Sequence, residues 1–204
     1  MNPRWLTLDD IEDLRAYERN RPELRRRVIE AKKARRVPLG EMLSLVFENR
    51  ETVRFQIQEM ARAERMLSDE QILGELEAYN PLIPAPGELS ATMFIELTGE
   101  EALREWLPKL VGIERAVELV IGDGSSGQEP IVIPSKVEPS HEAMLSRQDV
   151  TASVHYVRFA FEPAAIERFA GEPVELRARH RAYHASTQLG EDTKKALLED
   201  LVGP

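Results

Sequence analysis

The segment Asn80-Pro-Leu-Ile-Pro-Ala-Pro-Gly87 followed by Glu88-Leu-Ser-Ala-Thr-Met-Phe-Ile-Glu-Leu97 decides the fold class. Three prolines and a terminal glycine end any helix that reaches them. Beyond the glycine the apolar period becomes two: Leu89, Ala91, Met93, Ile95 and Leu97 alternate with Glu88, Ser90, Thr92 and Glu96, the pattern of a strand with one buried face. Upstream, the apolar residues recur at helical spacing. Thr7 with Asp10 forms a capping box for a first helix, and Pro22 suits the first turn of a second, running to about Arg36 over Leu24, Val28 and Ala31. Asn49 caps a third helix, about Glu51 to Met66, and a shorter one follows around Glu70 to Tyr79. Between them Met42-Leu-Ser-Leu-Val-Phe47 has strand length and character.

Downstream, Thr98 and Glu101 suggest a capping box opening a helix through Leu107 and Leu110. Strands are expected at Ile113 to Ile121, Ile131 to Ile133, Ala152 to Glu162 and Pro173 to His184. Helices are expected at Pro163 to Phe169 and Glu191 to Leu201. The expectation is an α+β fold: a helical N-terminal half, residues 1–80 with one strand near 42–48, followed over 81–204 by an antiparallel sheet packed with helices, in one compact domain.

Composition excludes several kinds of chemistry. The 204 residues contain no cysteine, hence no disulfide, no thiolate nucleophile and no cysteine-held iron–sulfur cluster. No apolar run reaches a membrane span and the start lacks the apolar stretch of a signal peptide, so a cytoplasmic location without membrane contact is expected. The net charge of −9 is uneven. Residues 1–36 hold 11 Lys/Arg against 7 Asp/Glu, a balance of +4, and the remaining 16 against 29 give −13. Arg25, Arg26, Arg27, Lys32, Lys33, Arg35 and Arg36 therefore form a candidate surface for an acidic protein partner. With only Tyr17 nearby to stack on bases, and an overall pI of about 5.1, nucleic acid is a poor fit.

Three tempting motifs fail. Gly122-Asp-Gly124-Ser-Ser-Gly127 matches a dinucleotide fingerprint, but a strand rather than a helix follows it, so a hairpin loop and no dinucleotide is expected. His141-Glu142 lacks the second histidine of a zinc protease, since Leu145 stands there. His180 and His184 would be too far apart on one strand to share an ion. A register argument does better. Odd residues of Ala152–Glu162 and even residues of Pro173–His184 are apolar, so direct antiparallel pairing of these strands would set His155 opposite His180, with Arg158, Arg177, Arg179, Arg181, Tyr156 and Tyr183 on the other face. That makes His155, His180, Tyr156, Arg158 and Tyr183 a candidate pocket for a metal, anion or proton transfer at the end of the sheet. A divalent metal would need Glu59 or Glu64 to join the histidines. The competing reading is two hydrogen-bonded core histidines beside a solvated arginine face.

The run Ser44-Leu-Val-Phe-Glu-Asn-Arg-Glu-Thr-Val-Arg-Phe-Gln-Ile-Gln-Glu-Met60, with Arg62-Ala-Glu-Arg65, Tyr79-Asn80, Gly87 to Glu96 and Trp106-Leu-Pro-Lys-Leu-Val-Gly-Ile-Glu-Arg115, resembles an uncharacterised bacterial domain-of-unknown-function family, family 3501, over nearly the whole chain. The resemblance carries no catalytic residues. It implies an accessory protein of a redox or oxidative-stress system, with rubrerythrin-like or iron–sulfur proteins as partners. Where many relatives have an Asp-His-Pro-x-Tyr pattern, this chain has Arg179-His180-Arg181-Ala182-Tyr183, which removes the carboxylate beside the histidine. The expected function is thus a non-catalytic interaction protein, with metal or anion binding, or an enzyme using the sheet-end pocket, as the alternative.

Overall fold

The computed structural model describes residues 2–125, 127–137 and 149–203. It is α+β, with two antiparallel sheets where the sequence suggested one. Strands β1 (Arg36–Leu39), β2 (Leu43–Glu48), β3 (Glu88–Ile95), β6 (Lys136–Val137) and β7 (Val154–Ala160) form the first, in the order β1-β2-β3-β7-β6. Strands β4 (Val117–Ile121), β5 (Ile131–Pro134), β8 (Val174–His180) and β9 (Tyr183–Gln188) form the second, in the order β5-β4-β8-β9. The helices are α1 (Leu14–Arg35), α2 (Arg50–Ala63), α3 (Asp69–Tyr79), α4 (Glu100–Trp106), α5 (Pro163–Gly171) and α6 (Glu191–Val202). Among the described residues no helix is long and apolar enough to cross a membrane.

The inward side chains of both sheets share one hydrophobic cluster, with Leu45, Phe47, Leu89, Met93 and Phe159 of the first sheet and Leu119, Val174 and Leu176 of the second. The sheets are tied at both margins. At one, β5 continues through Ser135 into β6 and so passes from the second sheet to the first; Ser135 donates from its amide to Val117 O and from its hydroxyl to Glu114 O, each at 2.8 Å. At the other, the Tyr183 hydroxyl of β9 donates to Leu39 O at 2.7 Å and accepts from the Met42 amide at 3.2 Å, and Thr187 Oγ1 donates to Pro38 O. The β1–β2 turn needs a glycine there: Gly40 has φ +68°, and a Cβ would lie 2.3 Å from the Tyr183 hydroxyl.

Several expectations need correction. The two N-terminal helices are a short 3₁₀ turn, Leu8–Asp10 under the Thr7–Asp10 capping box, and one 22-residue helix capped by Asp13, with Pro22 inside it. The hydrogen bond that proline forfeits is offset by burial of Tyr17, Leu24 and Val28 on the same helix. Strand β1 was missed because it is four residues with a central proline, tolerated since β1 is an edge. Gly99, not Thr98, precedes α4 as its cap residue. The expected strand Pro173–His184 is two strands, turning at Arg181-Ala182, so His184 lies exposed on β9 opposite Arg179. The glycine motif is the β4–β5 hairpin loop, with Ile121 paired to Ile131. His141, Glu142 and Leu145 lie outside the described residues.

Arg35 is not part of a partner surface. Its side chain is 7% exposed and donates to Asp200 of α6 at 2.5 and 3.1 Å, joining α1 to the C-terminal helix. Asp200→Ala strands that guanidinium in the interior and is expected to cost about 3–5 kcal/mol. An Arg35→Met/Asp200→Leu double variant should recover most of the loss in urea unfolding.

Candidate functional site

Strands β2 and β3 have a second buried face, continued half-buried on β7, and it is there that polar groups collect. Strand β2 is buried at every position, because its odd residues face the inter-sheet core and its even residues lie under the helices. Pairing places Glu48 beside Ser90 and Arg158, Val46 beside Thr92 and Tyr156, and Ser44 beside Phe94 and Val154. The face read from the sequence as the solvated side of β3 is therefore covered: Ser90 is 4% and Thr92 7% exposed.

Between this face and helices α1, α2 and α3 lies a cavity of about 260 Å³, lined among others by Glu48, Thr52, Tyr79, Thr92, Phe94 and Tyr156, with Lys32 and Arg36 from the α1–β1 segment. Glu48, 9% exposed, accepts from Thr92 Oγ1 at 2.7 Å and from Thr52 Oγ1 at 2.5 Å. It stands immediately before Asn49, whose side chain accepts from the Thr52 amide at 3.0 Å and starts α2, so the carboxyl group sits at the positive end of the helix. Its hydrogen-bond partners are hydroxyls; among the described residues no lysine or arginine pairs with it. Burial raises the Tyr156 hydroxyl above the ordinary phenol value, with Tyr79 and Glu48 adding to it, and burial likewise raises Tyr79, reinforced by Glu75. Arg36 ion-pairs with Glu96 at 2.5 Å while its guanidinium carbon stands 5.8 Å from the Phe94 ring centre. Lys32 has no ion-pair partner among the described residues.

The expected sheet-end pocket is not assembled as a strand pair. His155 in β7 is opposite Met93, and His180 in β8 is opposite Tyr183; the two strands belong to different sheets. The parity was right, since both rings are buried, but the neighbours were not, because β7 pairs with β3 and β6 while β8 pairs with β4 and β9. His155 Nε2 donates to Ala152 O at 2.9 Å and lies 2.8 Å from Thr151 Oγ1. Burial lowers its pKa, against the opposing pull of Glu114 and the Ala152 carbonyl. His180 Nε2 donates to Val111 O at 3.1 Å, and its Nδ1 accepts from the Ala182 amide at 3.3 Å. His155 thus anchors the segment that leads into β7, and His180 anchors the α4–β4 connection. Arg158 binds Glu88 at 2.6 Å and the Pro81 carbonyl. Tyr183 ties the sheets together, and Tyr156 alone of the five faces the cavity.

Nor are the other metal candidates gathered. Glu64 is exposed at the end of α2, and Glu59 accepts from Arg21 at 2.8 and 2.9 Å and from the Tyr17 hydroxyl at 2.6 Å. Among the described residues no three His, Asp or Glu side chains cluster at metal-binding spacing. Of the basic residues, Arg26, Arg27 and Lys33 pair with Glu23, Glu51 and Glu30, and Arg25 stays exposed. Sequence reasoning missed Glu48, Thr52, Thr92 and Tyr79. The one available signal was a carboxylate closing an apolar strand directly before a capping asparagine.

The Arg21 guanidinium, aided by Tyr17, holds the Glu59 carboxyl at about 2 against an ordinary 4.5, despite burial that opposes it. A depressed carboxylate stabilises the fold fully above its unfolded value and loses that contribution as pH falls towards the folded one. Glu59→Gln is therefore expected to be less stable by roughly 2–3 kcal/mol at neutral pH, with the gap to wild type closing between about pH 5 and pH 2 in denaturant titrations. A gap that stays constant with pH would contradict this.

Residues 5–201 match the family described as Protein of unknown function (DUF3501). A crystal structure at 1.90 Å of a novel protein of unknown function from Burkholderia pseudomallei K96243 is similar at 34% identity and a TM-score of 0.83, covering 96% of this chain and 98% of that one. No curated protein matches the sequence. With nearly its whole length accounted for by that one match, the chain belongs to the DUF3501 family.

Proposed function

We propose that the protein binds a small molecule in the cavity between its helical layer and the β1–β2–β3–β7 face. The observation that carries this reading is Glu48, a carboxyl group held under the helices in a cavity, with hydroxyl hydrogen-bond partners and no ion pair among the described residues. Burying such a group is costly unless a counter-charge or further donors reach it, so a site that keeps one open to a cavity is set up for a ligand. The volume, just below the roughly 300 Å³ at which drug-sized pockets begin, suits a compact metabolite. Native mass spectrometry of the protein after exposure to a bacterial small-molecule extract tests this. Wild type should retain a compound that a Val154→Phe variant, which fills the cavity from β7, does not. Equal retention, or none by either protein, would sink the reading.

A second reading, favoured by a separate observation, is an accessory protein that docks an acidic partner. Ile29 is 44% exposed on α1 beside Arg25, Arg26, Lys32 and Lys33, an apolar centre in a basic rim. The redox proteins implied by the family resemblance are the partner class to try. Wild type should capture such a protein from native lysate, and Arg25→Glu/Ile29→Asp should lose it; capture unaffected by the substitutions would remove α1 as the docking face.

A further inference from the structure

The cavity carries two opposite charges that do not meet. Glu48 lies on β2 at the start of α2, with hydroxyl partners, while Lys32 reaches the same space from α1 without an ion pair among the described residues. The other lining cation, Arg36, is committed to Glu96 and Phe94. The rings of Tyr79, Tyr156 and Phe94 also line the space, and aromatic faces attract cations. Phe94 already receives one in this way from Arg36.

A neutral or purely anionic ligand would leave Glu48 buried without a counter-charge, and a simple amine would leave Lys32 unused. From this geometry we infer that the ligand is a small zwitterion of amino-acid type. Its ammonium group sits against Glu48 among the tyrosine rings, and its acid group is held by Lys32. Thr52 and Thr92 act as positioning residues, because their hydroxyls fix the Glu48 carboxyl group from both oxygens. The inference rests on the small-molecule reading above and specifies its ligand.

The test is isothermal titration calorimetry with straight-chain ω-amino acids, each set beside the alkylamine and the alkanoate of the same length. The best amino acid should bind at least about tenfold more tightly than either matched compound, the difference expected for one charge-assisted contact. Glu48→Gln should abolish its advantage over the alkanoate, and Lys32→Met its advantage over the alkylamine. Circular dichroism checks the fold of Glu48→Gln, and Lys32, a half-exposed surface position, is expected to tolerate replacement. Equal affinity for a matched single-charge compound, or a preference that survives either substitution, overturns the inference. So does a compound retained from extract that lacks an amine, and that result leaves the binding reading intact. Retention of nothing from extract removes both.

Discussion

Burial of β2 on both faces is the constraint from which the rest of the architecture follows. A strand exposed on one side can alternate apolar and polar residues, but Leu43-Ser-Leu-Val-Phe-Glu48 has to satisfy a hydrophobic core on its odd side and a helical cover on its even side. Its neighbours β3 and β7 inherit the same condition, and the helical layer has to be wide enough to roof all three. Helix α1 supplies that width with 22 residues, and two ties hold the roof: Arg35 to Asp200 at one end and Arg21 with Tyr17 to Glu59 near the other.

The same constraint explains where the polar groups went. Ser44, Glu48, Ser90 and Thr92 occupy positions that a one-sided sheet would give to water. Roofed over, they must find partners nearby: Glu48 takes the Thr52 and Thr92 hydroxyls, Ser90 engages the Leu82 carbonyl and Ser44 donates to Glu96. Polarity at this interface prevents complete close packing, and the cavity is the space left over. The inter-sheet core on the opposite side of the strands, built from Leu, Phe, Met and Val, shows what the layer does when it has no such residues to accommodate.

Much of this was legible in the sequence, and the failures share a cause. Helices α2, α3, α5 and α6 and strands β3 and β7 follow from caps and periodicity, which are local. The parity argument correctly buried His155 and His180, because parity is a property of one strand at a time. What parity cannot supply is the neighbour: β7 pairs β3 from far upstream instead of β8, which follows it after one helix. The polar face of β3 read as solvated for a related reason, since nothing in Glu88-Leu-Ser-Ala-Thr-Met-Phe-Ile95 says that α1 and α2 return over it. Likewise Arg35 is indistinguishable in sequence from its basic neighbours, and only Asp200, 165 residues away, makes it an interior residue.

The margin where β9 meets the β1–β2 turn has a consequence for how the chain acquires its structure. Tyr183 and Thr187 reach Leu39 and Pro38 across nearly 150 positions of sequence, while the Ser135 crossing binds the opposite margin through contacts far closer along the chain. Loop-closure entropy makes the first kind of contact slow to form and the second comparatively fast. The Ser135 side can therefore close early and act as a hinge. The β1–β9 side latches last, and until it does, the hydrophobic face of β1 and β2 stays without its second sheet. That places the period of greatest aggregation risk at the end of folding and concentrates it on the edge strand β1, where Pro38 interrupts the row of free amides.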